Sequence, residues 1–409
     1  TTAEKLSQQV VALLEEKNPP EKIPTIEEIQ DIVEKVLIEN GHAKVAKAYI
    51  LYREERARRR RERANLAARP SENIPWAKIW SVLDWAVDHG MNTVAGLNRR
   101  IASGEFARIV NESEAAYNED VENAVEMIVQ QMKSLKIVII AGPSSSGKTT
   151  TTAKIARRLQ RVGVRLATLN VDHYFYDLEM HPKDEFGDYD FETPQALNLP
   201  LINQHLHRLI NGEEVRIPIY DFKTGHNYPE QTPMKLEPDE VILIDSLHGL
   251  YPAMTEGIEP DQIFKLYLEP LLQMKDEEGQ YIRWTDIRLM RRMLRDAAHR
   301  AYDPLMTLQH WHYVRSSEMR NIIPYHNAAD YIINSAMPYE LPIYCHRLRD
   351  SFLRWAEELR GDPLREDAFQ RAERLSTLLQ TITPVADESA IPPGSVVREF
   401  IGGGQHNHI

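Results

Sequence analysis

Eight consecutive residues form the segment of this sequence with the clearest chemical potential. They read Gly142-Pro143-Ser144-Ser145-Ser146-Gly147-Lys148-Thr149 and fit the pattern G-x-x-x-x-G-K-[ST]. Glycines in such a loop let backbone N–H groups turn toward a triphosphate at a helix N-terminus. We predict that Lys148 contacts the β- and γ-phosphates of ATP, that the Thr149 hydroxyl binds Mg²⁺, and that Thr150 also belongs to the nucleotide-binding stretch. A strand-like run before the motif and a helix-like run after it favour this interpretation over an ordinary loop.

Two aspartates stand at the ends of apolar runs that follow this motif. Asp172 comes directly after the run that ends at Val171, and Asp245 follows Val241–Ile244. A carboxylate at the end of a strand beside a phosphate loop can accept a proton from a substrate hydroxyl, or hold a metal-bound water. For Asp172 a role as a turn or helix-capping residue stays open. Asp245 is predicted to lie near Mg²⁺.

A run of arginines follows further along the chain. Arg288, Arg292 and Arg295 recur at helical spacing and share one face of a predicted helix. Guanidinium groups that close over a transferring phosphoryl group stabilise its developing charge. The pattern therefore predicts a lid over the nucleotide, with an ordinary solvated helix face as the alternative.

The elements that must position these residues alternate between strands and helices. The strand-like runs are Ile137–Ile140, Leu166–Asn170 and Val241–Ile244, with amphipathic stretches between them. This alternation predicts an α/β fold, a parallel sheet of the P-loop NTPase type with helices on both faces, preceded by an all-α N-terminal region. The predicted divisions are a helical region at 1–69, a helical connecting region at 70–134, the kinase-like domain at 135–340, and a C-terminal helix with a loose tail at 341–409. In the connecting region, the tryptophans Trp76, Trp80 and Trp85 are expected to pack in the core.

Composition excludes several classes of protein. The 409 residues carry a net charge of −12 and a single cysteine, Cys345. One cysteine rules out a disulfide framework and fits a reducing, cytoplasmic location. No apolar run approaches the roughly 18 residues that span a bilayer, so no membrane contact is expected. The acidic balance argues against a nucleic-acid binder, and we interpret the basic cluster at 56–63 as a solvated helix end.

The chemical motifs resemble a known family in their order along the chain. The stretches concerned are Gly142–Thr149, Asp172, Asp190–Pro194, Pro218–Gly225, Asp245 and Arg291–Arg300. They resemble uridine kinases and phosphoribulokinases, above all the bacterial nucleoside kinases with a threonyl-tRNA-synthetase-like N-terminus, whose C-terminus is similar to Val397–Gly403. The resemblance covers about residues 135–340 and that tail.

This resemblance implies roles for individual residues. Asp172 matches the base that deprotonates a nucleoside 5′-hydroxyl, and Asp245 stands where the family has a metal-associated glutamate. Glu192 matches a ribose-binding acid, and Tyr220 and His226 match residues that contact the pyrimidine. The arginines that match phosphate-handling residues are Arg292, Arg295 and Arg300. The sequence departs from the family at Ala301-Tyr302 and at Asn227, which leaves the acceptor open.

The N-terminal region resembles a different domain. The stretch from Ile23 to Glu34, leading to Ala46–Arg53, is similar to the helical second half of an ATP-cone, an allosteric nucleotide sensor. The basic β-hairpin that forms the first half of that domain is not in the sequence. We expect that this chain has lost about 40 residues through truncation or disorder.

The functional prediction combines these patterns. We expect an ATP- and Mg²⁺-dependent kinase that phosphorylates a hydroxyl of a nucleoside-like small molecule, with Lys148, Asp172, Arg292 and Arg295 as catalytic residues. A homo-oligomer regulated through the ATP-cone is also expected. Two alternatives stay open, namely a kinase for another small hydroxyl compound such as a sugar phosphate, and a non-catalytic nucleotide-sensing scaffold.

Overall fold

The chain forms two compact units, Thr1–Glu72 and Asn73–Ile409. The computed structural model describes residues 2–17, 26–42, 45–46, 49, 74–183, 189–299, 303–362 and 365–404. In the first unit, helices α1 (Thr2–Lys17) and α2 (Ile26–Glu39) are joined by a hydrogen bond from Asn40 Nδ2 to Gln9 Oε1 of 2.8 Å. Helix α2 buries Ile32 and Val36, four residues apart on one face. The basic cluster at 56–63 lies outside the described residues.

The second unit begins with three helices and is built around a parallel sheet. The helices are α3 (Trp76–Asp88), α4 (Val94–Ala102) and α5 (Phe106–Gln130). The sheet strands are β1 (Ile137–Ala141), β2 (Arg165–Asn170), β5 (Glu240–Ser246), β6 (Ile263–Glu269) and β7 (Tyr331–Asn334), in the spatial order β2-β5-β1-β6-β7. An antiparallel hairpin of β3 (Val215–Asp221) and β4 (His226–Met234) stands apart from this sheet. The parallel sheet confirms the predicted α/β class, whereas the hairpin was not predicted.

Helices cover the sheet and continue to the C-terminus. They are α6 (Lys148–Arg161), α7 (Leu199–Ile210), α8 (Trp284–His299), α9 (Pro304–Asn321), α10 (Glu340–Glu358), α11 (Glu366–Thr381) and α12 (Arg398–Ile401). The single C-terminal helix expected after residue 341 is therefore wrong, because two long helices and a short one follow β7. The tail is also packed rather than loose, with Val396, Val397 and Phe400 fully buried.

The hydrophobic core lies on both faces of the sheet. Val138 and Ile140 of β1 belong to one buried cluster, and Ile137 and Ile139 belong to the cluster on the opposite face. A central strand covered on both faces must be apolar throughout, which is why β1 reads as an unbroken apolar run. No helix in the described part of the chain is long and apolar enough to cross a bilayer.

The tryptophan stripe of α3 behaves differently from the expectation. Trp85 packs against the core, but Trp76 and Trp80 are 57% and 69% exposed. The prediction of core packing is wrong for these two residues. Helical spacing shows only that side chains share a face, and it does not tell whether another element covers that face.

Candidate active site

The phosphate-binding motif forms a tight loop between β1 and α6. Helix α6 begins at Lys148, and Gly147 before it has a φ of +94°. A Cβ atom at position 147 would lie 2.3 Å from Cγ2 of Val396, and one at Gly142 would lie 2.3 Å from the carbonyl oxygen of Leu268. Only glycine fits at either position without rearrangement, because real Cβ atoms do not approach so closely. The glycines of the pattern are therefore required by the packing of this chain.

Lys148 lies inside this loop. Its Nζ donates to the carbonyl oxygen of Gly142 at 2.9 Å and lies 3.4 Å from that of Pro143. Burial lowers the pKa of Lys148, and the nearby carboxylates of Asp245 and Glu399 oppose that shift. The Nζ of Lys148 therefore occupies a position where a phosphate oxygen can replace the carbonyl contacts.

The two predicted aspartates lie at the same edge of the sheet. Strands β2 and β5 are neighbours in a register that pairs Asn170 with Asp245, so Asp172 follows two residues beyond that pair. Asp172 is exposed, and its backbone N–H donates to Oδ1 of Asn170 at 3.0 Å. Burial raises the pKa of Asp245 to about 6; Lys148 opposes the shift, and the charges of Glu399 and Asp172 add to it. The structure therefore brings Lys148, Asp172 and Asp245 together.

The residues present fit a nucleotide-bound Mg²⁺ rather than a metal held by protein alone. Among the described residues, no group of three or more His, Cys, Asp or Glu side chains could hold a metal ion. Mg²⁺ is commonly bound through one or two carboxylates together with substrate phosphates and waters. Asp245 and the exposed hydroxyl of Thr149, the second residue of α6, offer such a partial set.

Glu192 and Arg292 form an ion pair over the loop. Nη1 of Arg292 lies 2.9 Å from Oε1 of Glu192 and 3.3 Å from Oγ of Ser144. Burial would raise the pKa of Glu192, but the charge and hydrogen bond of Arg292 bring it below its usual value. Arg295 lies on the same helix, α8, and its Nε is 3.3 Å from Oδ1 of Asp296. The positive charge of Arg295 contributes to lowering the pKa of Lys148. Arg300 lies outside the described residues.

The prediction that Arg288 belongs to a lid over the nucleotide is wrong. Its side chain is fully buried, pairs with Glu318 and with Glu269 (3.2 Å), and donates from Nε to the carbonyl oxygen of Ser144 at 3.0 Å. Its neighbour Arg291 is equally buried. Nε of Arg291 donates to Glu340 at 2.7 Å, and Nη1 reaches the carbonyl oxygen of Ser146 at 3.3 Å. Both arginines therefore support the loop from within the protein.

Aromatic rings cluster around Phe175, three residues after Asp172. Phe175 lies at the centre, with its ring centroid 5.5 to 6.0 Å from those of His181, Phe191, Tyr220 and Phe222. Tyr220 is buried with no hydrogen-bond partner for its hydroxyl, and burial raises its pKa. Flat rings arranged in this way can stack on a planar ligand.

His226 and Asn227 begin the second strand of the hairpin. The side chain of His226 is 62% exposed and lies 3.5 Å from Asp177. The amide of Asn227 donates to the carbonyl oxygens of His173 (2.8 Å) and Phe175 (2.7 Å). Asn227, where the sequence departs from the family pattern, therefore joins the hairpin to the segment that carries Asp172.

His248 is a site residue that the sequence analysis missed. It is 3% exposed, and neither ring nitrogen forms a hydrogen bond of normal geometry. Burial lowers its pKa to about 4, and the negative charge of Glu192 opposes the shift. The available signal was its position three residues after Asp245, in the turn that follows the same strand.

Known proteins resemble both units of the chain. A family model described as Phosphoribulokinase / Uridine kinase family matches residues 137–341, and one described as ATP cone domain matches residues 1–58. A uridine kinase from Chloroflexus aurantiacus is 33% identical over 172 residues, which cover 41% of this chain and 72% of that protein. A uridine kinase from Deinococcus deserti is 29% identical over 198 residues, covering 48% and 86%.

A solved structure of a possible uridine kinase from Bacillus stearothermophilus is 12% identical, with a TM-score of 0.34, and the match covers 52% of this chain and 98% of that one. The sequence matches confirm the two resemblances that the motifs indicated, to a kinase family in the second unit and to an ATP-cone in the first.

Proposed function

The chain belongs to the phosphoribulokinase / uridine kinase family, and on that premise we propose that it transfers the γ-phosphate of ATP to a hydroxyl of a nucleoside-like small molecule. One observation carries the proposal. The edge of the sheet that holds Lys148 and Asp245 also presents the exposed carboxylate of Asp172, and Phe175, three residues further along the chain, belongs to a cluster of aromatic rings. Phosphate donor and hydroxyl acceptor can therefore meet at Asp172.

The proposed reaction needs positioning and charge stabilisation. The backbone amides of the loop from Gly142 to Thr149, together with Lys148, would bind the phosphates, and Thr149 and Asp245 would hold Mg²⁺. The metal ion supplies positive charge to the phosphate oxygens when bound. The oxygen of the acceptor hydroxyl attacks the γ-phosphorus while Asp172 accepts the proton of that hydroxyl. The bond from the γ-phosphorus to ADP breaks, and ADP leaves. Arg292 and Arg295 lie on the helix that faces the loop and stabilise the charge on the transferring group.

The ring cluster supports an acceptor with a planar base. Tyr220 and Phe222 are rigid apolar surfaces beside Phe175, and stacking on such surfaces binds any planar heterocycle. Glu192, with one oxygen on Arg292, can accept a hydrogen bond from a ribose hydroxyl through the other. A second candidate, a kinase for a sugar phosphate or another small hydroxyl compound, is favoured by the outward position of His226.

The ATP-cone match supports regulation by nucleotide as part of the same proposal. In that case ATP bound at the first unit would alter activity or assembly. A homo-oligomeric state and a cytoplasmic location remain predictions. The scaffold alternative differs from the proposal in one observable, because a scaffold would change its assembly with nucleotide yet show no ADP release on addition of any acceptor.

The test replaces the proposed base. Asp172→Asn keeps the shape of the side chain but cannot accept the proton, so kcat should fall by about 10²- to 10⁴-fold. Binding of a fluorescent ATP analogue should stay within about twofold of wild type. ADP release is measured with a panel of nucleosides and sugar phosphates. Asp239→Asn, at an exposed pair with Arg165, is the control and should leave kcat unchanged. Near-normal turnover by Asp172→Asn would refute the assignment of the base.

A further inference from the structure

The C-terminal segment 395–401 packs directly against the phosphate loop. Val396 is fully buried and lies on Gly147. The ring of Phe400 lies under the guanidinium of Arg291, with Cζ 4.9 Å from the ring centroid. This segment follows the family-matched residues 137–341 by more than fifty positions. An element outside the matched domain therefore forms part of the wall of the nucleotide loop.

Glu399 connects this segment to the first turn of α6. Its Oε2 accepts a hydrogen bond from the backbone N–H of Thr150 at 3.1 Å and another from the Thr150 hydroxyl at 2.8 Å. The first N–H groups of a helix have no partner within the helix, and a carboxylate there interacts favourably with the helix dipole. Hydrogen bonds to a charged acceptor are also stronger than neutral ones. Glu399 thus caps α6 across 249 positions of sequence.

The position of Glu399 is itself fixed. Nη2 of the adjacent Arg398 donates to the carbonyl oxygens of Glu388 (2.8 Å) and Ile391 (3.0 Å). The hydroxyl of Ser395 lies 2.7 Å from that of Tyr339, which donates to Glu114 on α5. Because Arg398, next to Glu399, and Ser395, four residues before it, are both anchored, the Glu399 carboxylate is held at Thr150.

We propose that Glu399 is a positioning residue of the nucleotide site. Its carboxylate fixes the first turn of α6, and through that turn it holds Lys148 and the loop amides in the arrangement that binds nucleotide phosphates. Thr150 is expected to act mainly by holding this carboxylate, since its N–H and hydroxyl both point to Glu399. The inference rests on the proposed function in one respect only, namely that the loop binds ATP.

The charge and the geometry of Glu399 act in opposite directions. As a hydrogen-bond acceptor it organises the loop, but as an anion it repels the phosphates of ATP. Glu399→Gln keeps an oxygen acceptor and removes the charge, whereas Glu399→Ala removes both. We expect Glu399→Ala to weaken ATP binding about five- to tenfold. Glu399→Gln should restore binding to within about twofold of wild type.

The experiment is a titration of the full chain with a fluorescent ATP analogue, followed by steady-state kinetics. The KM for ATP should rise in Glu399→Ala while the KM for the acceptor stays the same. Glu373→Ala, an exposed glutamate on α11, is the control and should bind ATP as wild type does. Equal ATP affinity of Glu399→Ala and wild type, or failure of Glu399→Gln to rescue, would overturn the inference.

Thr150→Ala provides a second route if Glu399→Ala does not fold. It removes the hydroxyl of Thr150, which is one of the two groups that donate to Glu399. We expect about a two- to threefold loss of ATP affinity. The double variant should bind no more weakly than Glu399→Ala, because both changes remove one interaction. Fully additive losses would overturn the inference. Direct titration needs no acceptor, so its result can be interpreted even if the Asp172 test fails. A wild-type protein that binds no ATP would instead refute the proposed function.

Discussion

The two halves of the candidate site are held together by different forces. On the phosphate side, the carbonyl oxygens of Ser144 and Ser146 are bound by Arg288 and Arg291, which are fully buried and paired with glutamates. The acceptor side is the part of the site proposed to bind the acceptor, around Phe175, Tyr220 and Phe222. Contacts between aromatic rings predominate there. Several of these rings reach the surface, with Phe191 39% and Phe222 61% exposed.

This difference has consequences for what each half can tolerate. A buried ion pair needs both partners and good geometry, so a change at one residue leaves an unpaired charge inside the protein. Ring contacts are less directional, and exposed rings can be exchanged at little cost to folding. We infer that the phosphate side is fixed and that the acceptor side can adapt to different acceptors without disturbing phosphoryl transfer.

The largest expected effect would come from breaking the phosphate side. Arg291→Met leaves Glu340 buried without its partner, and we expect the free energy of unfolding to fall by about 3 to 5 kcal/mol. The measurement is urea unfolding at pH 7.5 followed by tryptophan fluorescence, which reports on the second unit because all six tryptophans lie after residue 72. Arg165→Met is the control. Arg165 is half-exposed in its pair with Asp239, so its loss should cost less than about 1 kcal/mol. Equal losses would contradict the contrast.

The sequence predicted the parts of the site that depend on local order. The loop Gly142–Thr149 lies between a strand and a helix, and Asp245 ends a buried strand, as the apolar runs indicated. Such features are set by neighbouring residues, so a linear pattern contains them. The carboxyl ends of parallel strands also meet at one edge, which is why two acids predicted at strand ends, Asp172 and Asp245, lie at the same edge of the sheet.

Long-range partners could not be predicted in this way. Arg288, Arg291 and Arg292 share one helix, yet their partners, Glu318, Glu340 and Glu192, come from separate parts of the chain. Helical spacing placed Arg288 in the lid, but the folded chain buries it. The contact between Glu399 and Thr150 likewise spans most of the second unit. Only tertiary packing decides which glutamate each arginine pairs with and whether the pair is buried.

His248 lies close enough to Glu192 and Lys148 for their charges to affect it, and the effect of replacing it should be intermediate. The pKa of His248 is about 4 in the folded protein and about 6.5 in the unfolded chain. Between these two pH values the histidine binds a proton when the protein unfolds. Its presence therefore makes stability fall as the pH drops from 6.5 toward 4. Replacing it should reduce the stability lost between pH 7.5 and pH 5 by about 2 kcal/mol.

The measurement compares wild type with His248→Asn by urea unfolding across this pH range. The asparagine also leaves a buried polar group, so the absolute stability of the variant differs, but its pH dependence isolates the histidine. Between pH 7.5 and pH 9 the two proteins should change in parallel, which serves as the internal control. Parallel curves below pH 6.5 as well would show that His248 is protonated in the folded protein.

The smallest expected effect would come from the acceptor side and would sharpen the contrast most. Phe222→Ala removes an exposed ring that packs on Tyr220 at 4.9 Å between centroids, so the KM for the acceptor should rise about three- to tenfold. The KM for ATP should stay within about twofold, because the ring packs on Phe175 and Tyr220, which lie outside the phosphate loop. Tyr281→Ala, which removes a similarly exposed ring outside the cluster, should change neither constant. If Phe222→Ala raised both KM values equally, the two halves would be coupled, and acceptor specificity could not vary independently of phosphate binding.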